Sequence, residues 1–521
     1  PNGETGFLKN DLNAKFSVNT APERNIYQSL TFNIGWTKED SDETYLGLTQ
    51  EDFNADPFRR YAASQVDNMD AEQNRFSIQH YIEIPGAFNV VTNAYRNDFK
   101  RNWYKLQSAG GESLANILDD PTTYAAQYDL LTGAADTESG DLVLRANNRK
   151  YYSQGVQTTF DFEFETGRWS HDIHVSTRIH QDQEDRFQHQ DGYGIENGVM
   201  NLVSKGAPGS NANRVEEASA VSSYVFYKLD YGKLSFTPGI RHEHVTISRE
   251  NFGNADPGRT KNADYSTRSN FFSAILPGMG INYSLNKQTI VFTGVHKGFA
   301  PGNSQEGSKP ESSVNYEIGT RKSGRNLSGS VVVFLNDYQN LLGADNVSAG
   351  GTGTGDLFNA GQAITKGIEL EATYNLLPSS TSFNLPISVA YTFTDAKFDN
   401  TFDSSFEGWG SVTKGDQIPY LARNQWFVST TLRAKNYSIT LNGKYQSSVR
   451  TVPGSGEIAK SEKIAAFFTS DVSLNYFIDS RTTFFTSVTN IADAEYAVAR
   501  RPAGLRPGMP RAFRVGMNVR F

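Results

Sequence analysis

Polar and apolar residues alternate most clearly at the C-terminal end of the chain. In Arg511–Phe521, Phe513, Val515, Met517, Val519 and Phe521 share one face of an extended strand, and Ala512, Arg514, Gly516, Asn518 and Arg520 share the other. Lipid suits the first face and water the second, which is the pattern of a membrane-crossing strand. An edge strand of a soluble sandwich could show the same alternation once. Here it recurs in about nineteen stretches, among them 11–19, 26–38, 72–84, 88–101, 150–164, 171–185, 216–229, 233–248 and 270–285.

The connections sort by length. They are tight at Pro85-Gly86, Tyr231-Gly232, Asn286-Lys287, Gly324-Arg325 and Asp479-Ser480, and long at 41–70, 104–148, 187–214, 250–268, 300–310, 340–362, 398–420, 450–466 and 491–510. Short periplasmic turns against long extracellular loops are a property of outer-membrane barrels, and a soluble sandwich has no reason to sort its loops this way. Parity then follows. The last strand comes after a long loop and runs inward, and so does the strand at 11–19. An even-numbered barrel therefore lacks an odd number of strands, and three more would make about twenty-two, a size whose lumen is plugged. The expectation is an all-β fold: residues 1–521 form a transmembrane antiparallel β-barrel with about nineteen strands of an expected twenty-two. A plug and the first strands are expected before Pro1, which has no signal peptide behind it and so begins a processed or truncated chain.

Composition supports this reading. Hydrophobic residues make up 37% of the chain and aromatic residues 12%, with 34 Phe and 25 Tyr, and the mean hydropathy is −0.52. A disordered chain would be poorer in aromatics and a large soluble core richer in aliphatics, whereas a barrel needs apolar residues only at alternate positions plus interfacial girdles. Trp36, Trp103, Tyr104, Trp169, Tyr283, Tyr338, Tyr374, Tyr476 and Phe477 fall near expected strand ends and are assigned to such girdles. No apolar run of about eighteen residues occurs, so crossing must be by strands. There is no cysteine, which excludes disulfides and thiolate metal sites, and a net charge of −8 without a basic stripe excludes nucleic acid as partner. Glu112-Ser-Leu-Ala-Asn-Ile-Leu118 has helical spacing inside a long loop, and the glycine-rich Ser348–Asp356 reads as a loop, not a phosphate cradle.

Several motifs resemble those of TonB-dependent outer-membrane receptors. They are Lys297-Gly-Phe-Ala-Pro301, Pro310-Glu-Ser-Ser-Val-Asn-Tyr-Glu-Ile-Gly319, the stretch Phe358–Glu371, Gly415-Asp-Gln-Ile-Pro-Tyr420, Asn490-Ile-Ala-Asp-Ala-Glu-Tyr496 and Pro507-Gly-Met-Pro-Arg511, in the family's order. Glu43–Phe53, Asp56–Gln65 and Asn97–Tyr104 are similar to loops of the ferric dicitrate type. The resemblance implies a receptor and transporter, not an enzyme, for ferric chelates such as ferric citrate or a siderophore. Its partners would be the inner-membrane TonB protein, outer-membrane lipid and, through terminal Phe521, the barrel assembly machinery. No plug or TonB box lies within these residues.

A ferric chelate of net negative charge calls for cationic hydrogen-bond donors in the lumen or loops. Alternation in 171–182 puts His174, Ser176, Arg178 and His180 inward. The same phasing assigns Arg75, Gln79, Tyr81, Arg96, Arg241 and Glu243 to the lumen, and Arg59 and Arg60 fall in the long first loop. The ligand-binding candidates are thus Arg59, Arg60, Arg75, Arg96, Arg178, His180 and Arg241, each weighed against a purely structural ladder of ion pairs. No catalytic residue, resident cofactor or metal site is expected, the ferric chelate being cargo. His242 and His244 share what reads as the outer face, and Phe299-Ala-Pro301 echoes a haem-receptor box without its arginine, so haem is a minor alternative. Others are an oligosaccharide receptor, a passive porin and a structural barrel. An outer-membrane enzyme is disfavoured because no Gly-x-Ser-x-Gly elbow occurs.

Overall fold

The computed structural model describes residues 5–344, 357–377, 383–404 and 409–520; the Ser348–Asp356 loop and terminal Phe521 lie outside these. Nineteen long strands follow one another as an antiparallel meander. They are β1 (Phe7–Asn19), β2 (Tyr27–Ser41), β3 (Asn68–Ile84), β4 (Phe88–Ala109), β5 (Thr137–Thr166), β6 (Trp169–Glu196), β7 (Ala212–Tyr231), β8 (Leu234–Asn251), β9 (Ser266–Asn286), β10 (Thr289–Ala300), β11 (Glu311–Ser323), β12 (Leu327–Gln339), β13 (Ala363–Asn375), β14 (Pro386–Phe398), β15 (Asn424–Arg433), β16 (Tyr437–Gln446), β17 (Phe467–Phe477), β18 (Thr482–Thr489) and β19 (Ala512–Val519). Each pairs with its neighbours in sequence, and among the described residues no pairing joins β1 to β19. The expected all-β barrel of about nineteen strands is borne out.

Register separates the two faces. Val90, Phe160, Val175, Val225 and Ile240 stand opposite one another from β4 to β8, an apolar row. The row Asn93, Gln157, Arg178, Ser222 and Glu243 crosses the same strands on the other face. The apolar row is open to its surroundings, with Ile240 52% exposed, as a lipid-facing band must be. The C-terminal strand conforms: Phe513, Val515 and Met517 are all strongly exposed on one face. Trp169, Tyr231, Tyr283, Tyr374 and Tyr476 are also exposed, beside the tight turns, and form a girdle at one end. An arginine at Val225, inside the band, would have to leave water. Val225→Arg is expected to cost about 2–4 kcal/mol of folding stability in bilayers, read by denaturant titration; an unchanged midpoint would move the band elsewhere.

The structure corrects the expected loops. β5 has 30 residues and β6 has 28, whereas a bilayer needs about 9–11 per strand. Their upper halves rise well beyond the membrane, so the ends of the connections placed at 104–148 and 187–214 are strand, and the connections shorten to 110–136 and 197–211. On one face, this raised wall carries a hydrophobic core that includes Leu106, Leu142 and Leu144 of the wall, Leu46 and Leu48 of the first long loop, Ile117 and Leu131 of helices in the 110–136 loop, and Ala503 of the last long loop.

Local signals explain the helices of this head. Ser113 caps α1 (Leu114–Asp119), its hydroxyl accepting from the Asn116 amide, as the helical spacing at 112–118 leads one to expect. Asp52, in the short helix Gln50–Ala55, accepts from the hydroxyls of Tyr61, Tyr128 and Thr49 and pairs with Arg59. Burial pushes its carboxyl up, but bonds from Tyr128, Tyr61 and Thr49, with Arg59, hold it below the ordinary range. The first and last long loops are joined by backbone bonds from Gly47 to Ala503 (2.8 Å) and between Leu48 and Leu505 (2.8 and 2.7 Å). Gly504 is required there: its φ is +71°, and a Cβ would sit 2.7 Å from Leu118 Cδ1.

Candidate anion site on the lumen wall

On the lumen face of the raised wall, Arg101, Arg149, Arg186 and Arg214 lie directly opposite one another across β4, β5, β6 and β7. Like charges in directly opposed positions repel, so this row is costly to assemble. The row beneath runs Phe99, Tyr151, Glu184, Glu216, Arg249 and Arg268. Six arginines thus face two carboxylates. Glu184 accepts from Arg149 Nη1 (2.9 Å) and Arg186 Nε (2.7 Å), and Glu216 accepts from Arg249 Nη2 (2.9 Å). The guanidinium of Arg149 also keeps an Nε without a hydrogen-bond partner.

Aromatic rings border the row on both sides. Below, Phe99 and Tyr151 stack with centroids 5.7 Å apart, and Arg101 donates to the Tyr151 hydroxyl over 3.3 Å. Above, Tyr45 of the first loop stacks on Trp103 at 4.0 Å, and Arg506 of the last loop lies 5.7 Å from the Tyr45 ring. A cavity of about 670 Å³ opens under the upper row; Phe99 and Tyr151 line it with Arg249 and the carboxylates Asp182, Glu184, Glu216 and Glu217. That is the size of a small-ligand pocket. Ser304 closes one side, donating to Glu216 (3.0 Å) and accepting from Arg268 (2.9 Å). Planar guanidinium forks in a partly dry wall match the carboxylate or other oxyanion edges of a ligand.

The residues singled out from sequence fall elsewhere. Arg178 and His180 do face the lumen: His180 Nδ1 lies 2.6 Å from the Tyr95 hydroxyl, and Arg178 sits 5.8 Å from the Tyr95 ring. Arg178 is eight residues and His180 six residues below Arg186 on the same strand, roughly 26 Å and roughly 20 Å away. Arg241 is also lumenal but is paired with Glu243, and Arg75 lies across Gly35, reaching Asp11 at 3.6 Å. Arg59 is bound to Asp52, and Arg60 donates to the carbonyls of Ser64 (2.5 Å) and Asp42 (3.0 Å), so both brace the first loop.

Arg96 is a correction. Register places it opposite Phe76 and Gln154, on the face of Ala94 and Val156, where it pairs with Asp98 (2.6 Å) and covers the Tyr152 ring. It points away from the lumen. Above the apolar band the outer face is itself polar, so an arginine there no longer identifies a side. Trp103 and Tyr104 are likewise not girdle residues: one stacks in the site, and the other donates to Asp191 (2.7 Å) within the head. His242 and His244 lie on the outer face, opposite Ile275 and Val221, as expected.

Comparison with known proteins accords with this geometry. Residues 9–491 match the family described as TonB dependent receptor-like, beta-barrel. Among solved structures, the unliganded ferric citrate transporter FecA is 17% identical with a TM-score of 0.70, over 100% of this chain and 77% of its own. The siderophore receptor PiuA of Acinetobacter baumannii is 13% identical with a TM-score of 0.74, over 99% and 75%. The closed form of the ferric-catecholate import receptor Fiu from E. coli K12 is 14% identical with a TM-score of 0.70, over 98% and 75%.

Proposed function

Since this chain belongs to the TonB-dependent receptor family, outer-membrane transporters that work with TonB and are not enzymes, we propose that its cargo is a ferric chelate of net negative charge, held at the arginine row. The observation that carries this is the count of six arginines to two carboxylates in two adjoining rows, the lower of which lines a cavity of about 670 Å³. A structural ladder would alternate signs, because opposed like charges destabilise a sheet. An anionic cargo lying along the row would offset the repulsion between opposed guanidinium groups and turn it into binding energy. In this reading a plug domain, as expected from the sequence, gates the lumen below the row, and the lower lumenal cations Arg178, Arg75 and Arg241 lie along the exit path.

The test is uptake of radioiron by cells carrying the intact gene or a deletion. Supplied as ferric citrate or a ferric tricatecholate, iron should enter only with the gene and with TonB. Equal uptake of a neutral ferric trihydroxamate, or none of the anionic chelates, would overturn the reading.

A further inference from the structure

Two steps above Arg101 along the same face of β4 comes Trp103, and the next residue on that face is Lys105, directly opposite Arg145 of β5. Lys105 is 2% exposed, and its Nζ lies 3.7 Å from the centroid of the Tyr45 ring and 5.4 Å from that of Trp103. The charged groups around it come from four elements. Arg101 is on its own strand, Arg145 and Arg149 are on β5, Asp67 belongs to the first loop with Arg60 and Glu43 near it, and Arg506 comes from the last loop. The wall here is well above the lipid band, whose last apolar outward residue on β4 is Ala94. Burial, and after it Arg145, push the Lys105 amine down to about 6. Burial pushes the Asp67 carboxyl up to about 7, against the Thr44 hydroxyl and the Leu106 amide that it accepts from.

The wall thus holds one buried amine whose charge is optional among several guanidinium groups whose charge is fixed. We infer that Lys105 is the proton-accepting member of the anion site, taking up a proton from solvent on its Nζ lone pair when an anion docks on the arginine row. This rests on the arginine row being the anion site. Docked negative charge favours the ammonium, so the amine's pKa is higher with the site filled than empty. By linkage, affinity is greatest below the empty-site value and falls as pH rises through the filled-site value.

Hexacyanocobaltate(III), a trianion that does not itself titrate between about pH 5 and 9, is the probe. With the detergent-solubilised chain, affinity should fall across that range by up to about tenfold per pH unit, one proton per anion being the limit. Calorimetry in two buffers of different ionisation heat should show matching proton uptake. Lys105→Arg, permanently charged, should keep the low-pH affinity and lose the slope; Lys105→Gln should lose the slope at the weaker, high-pH affinity. A flat profile in the unsubstituted chain overturns the inference and leaves the arginine row standing. An unchanged slope in Lys105→Arg puts the proton elsewhere, Asp67 first, and also overturns it. No binding at any pH removes both readings.

Discussion

Replacing Arg101 and Arg149 together by glutamine should weaken binding of an anionic ferric chelate by at least about a hundredfold while leaving the folded wall intact. Each guanidinium removed forfeits charge-assisted hydrogen bonds worth about 1.5–3 kcal/mol. Two of them in one row therefore exceed the ~2.7 kcal/mol that a hundredfold represents. Stability should respond differently. Glu184 keeps its 2.7 Å bond from Arg186, and the pair of opposed like charges between β4 and β5 disappears. We expect a thermal midpoint within a few degrees of the unsubstituted chain, together with a weaker dependence of residual binding on salt. Fluorescence quenching by ferric citrate at two ionic strengths, alongside thermal unfolding, reads both quantities. Intact affinity with lost stability would mean that the row is a structural ladder.

The sequence discloses some parts of this molecule and hides others, for one physical reason. Within the bilayer one face must be apolar and the other wet, so Val175 and Ile179 against Arg178 and His180 reveal both strand and orientation. Loop sorting reveals the topology in the same way. Above the bilayer that contrast ends. Tyr104 and Leu106 on one face of β4 pack under the head, while Arg101, Trp103 and Lys105 on the other form the site, and neither face looks like lipid or lumen. A template built for membrane strands stops there, and for that reason the upper ends of β4, β5 and β6 read as loops and Arg149, Arg186 and Arg214 went unseen, while Arg101, inside the expected strand 88–101, was passed over because Arg96 was phased inward. Arg145 and Arg149, spaced by four, and Arg186 in continued phase with Arg178 were the available signal. The phase of Arg96 failed for a related reason, since polarity no longer told inside from outside. Tyr45 and Arg506 could not be found from pattern, because only the folded head brings the first and last loops together.

The head is what keeps the arginines in line, and its core should therefore control binding at a distance. Leu144 and Ile117 are both fully buried, one on the wall and one on the helix laid against it. Leu144→Ala or Ile117→Ala should each cost about 2–5 kcal/mol, from lost burial and the cavity left behind. The head is small, and it holds strands whose opposed guanidinium groups push apart, so that loss is a large share of its local stability. Hydrogen exchange should speed up across 42–67, 110–136 and 490–511, the loops that share this core, while amides of the lipid-spanning parts of β7 and β8 stay protected. Chelate affinity should fall in step, because Asp67, Tyr45 and Arg506 hang from those loops around Lys105. The chemistry of the row is untouched in either variant. A loss of affinity that tracks head protection would therefore identify pre-organisation of the wall as part of the binding energy. Exchange that rises evenly through β7 and β8 as well would instead make head and barrel one cooperative unit, and the separate role of the core would be wrong.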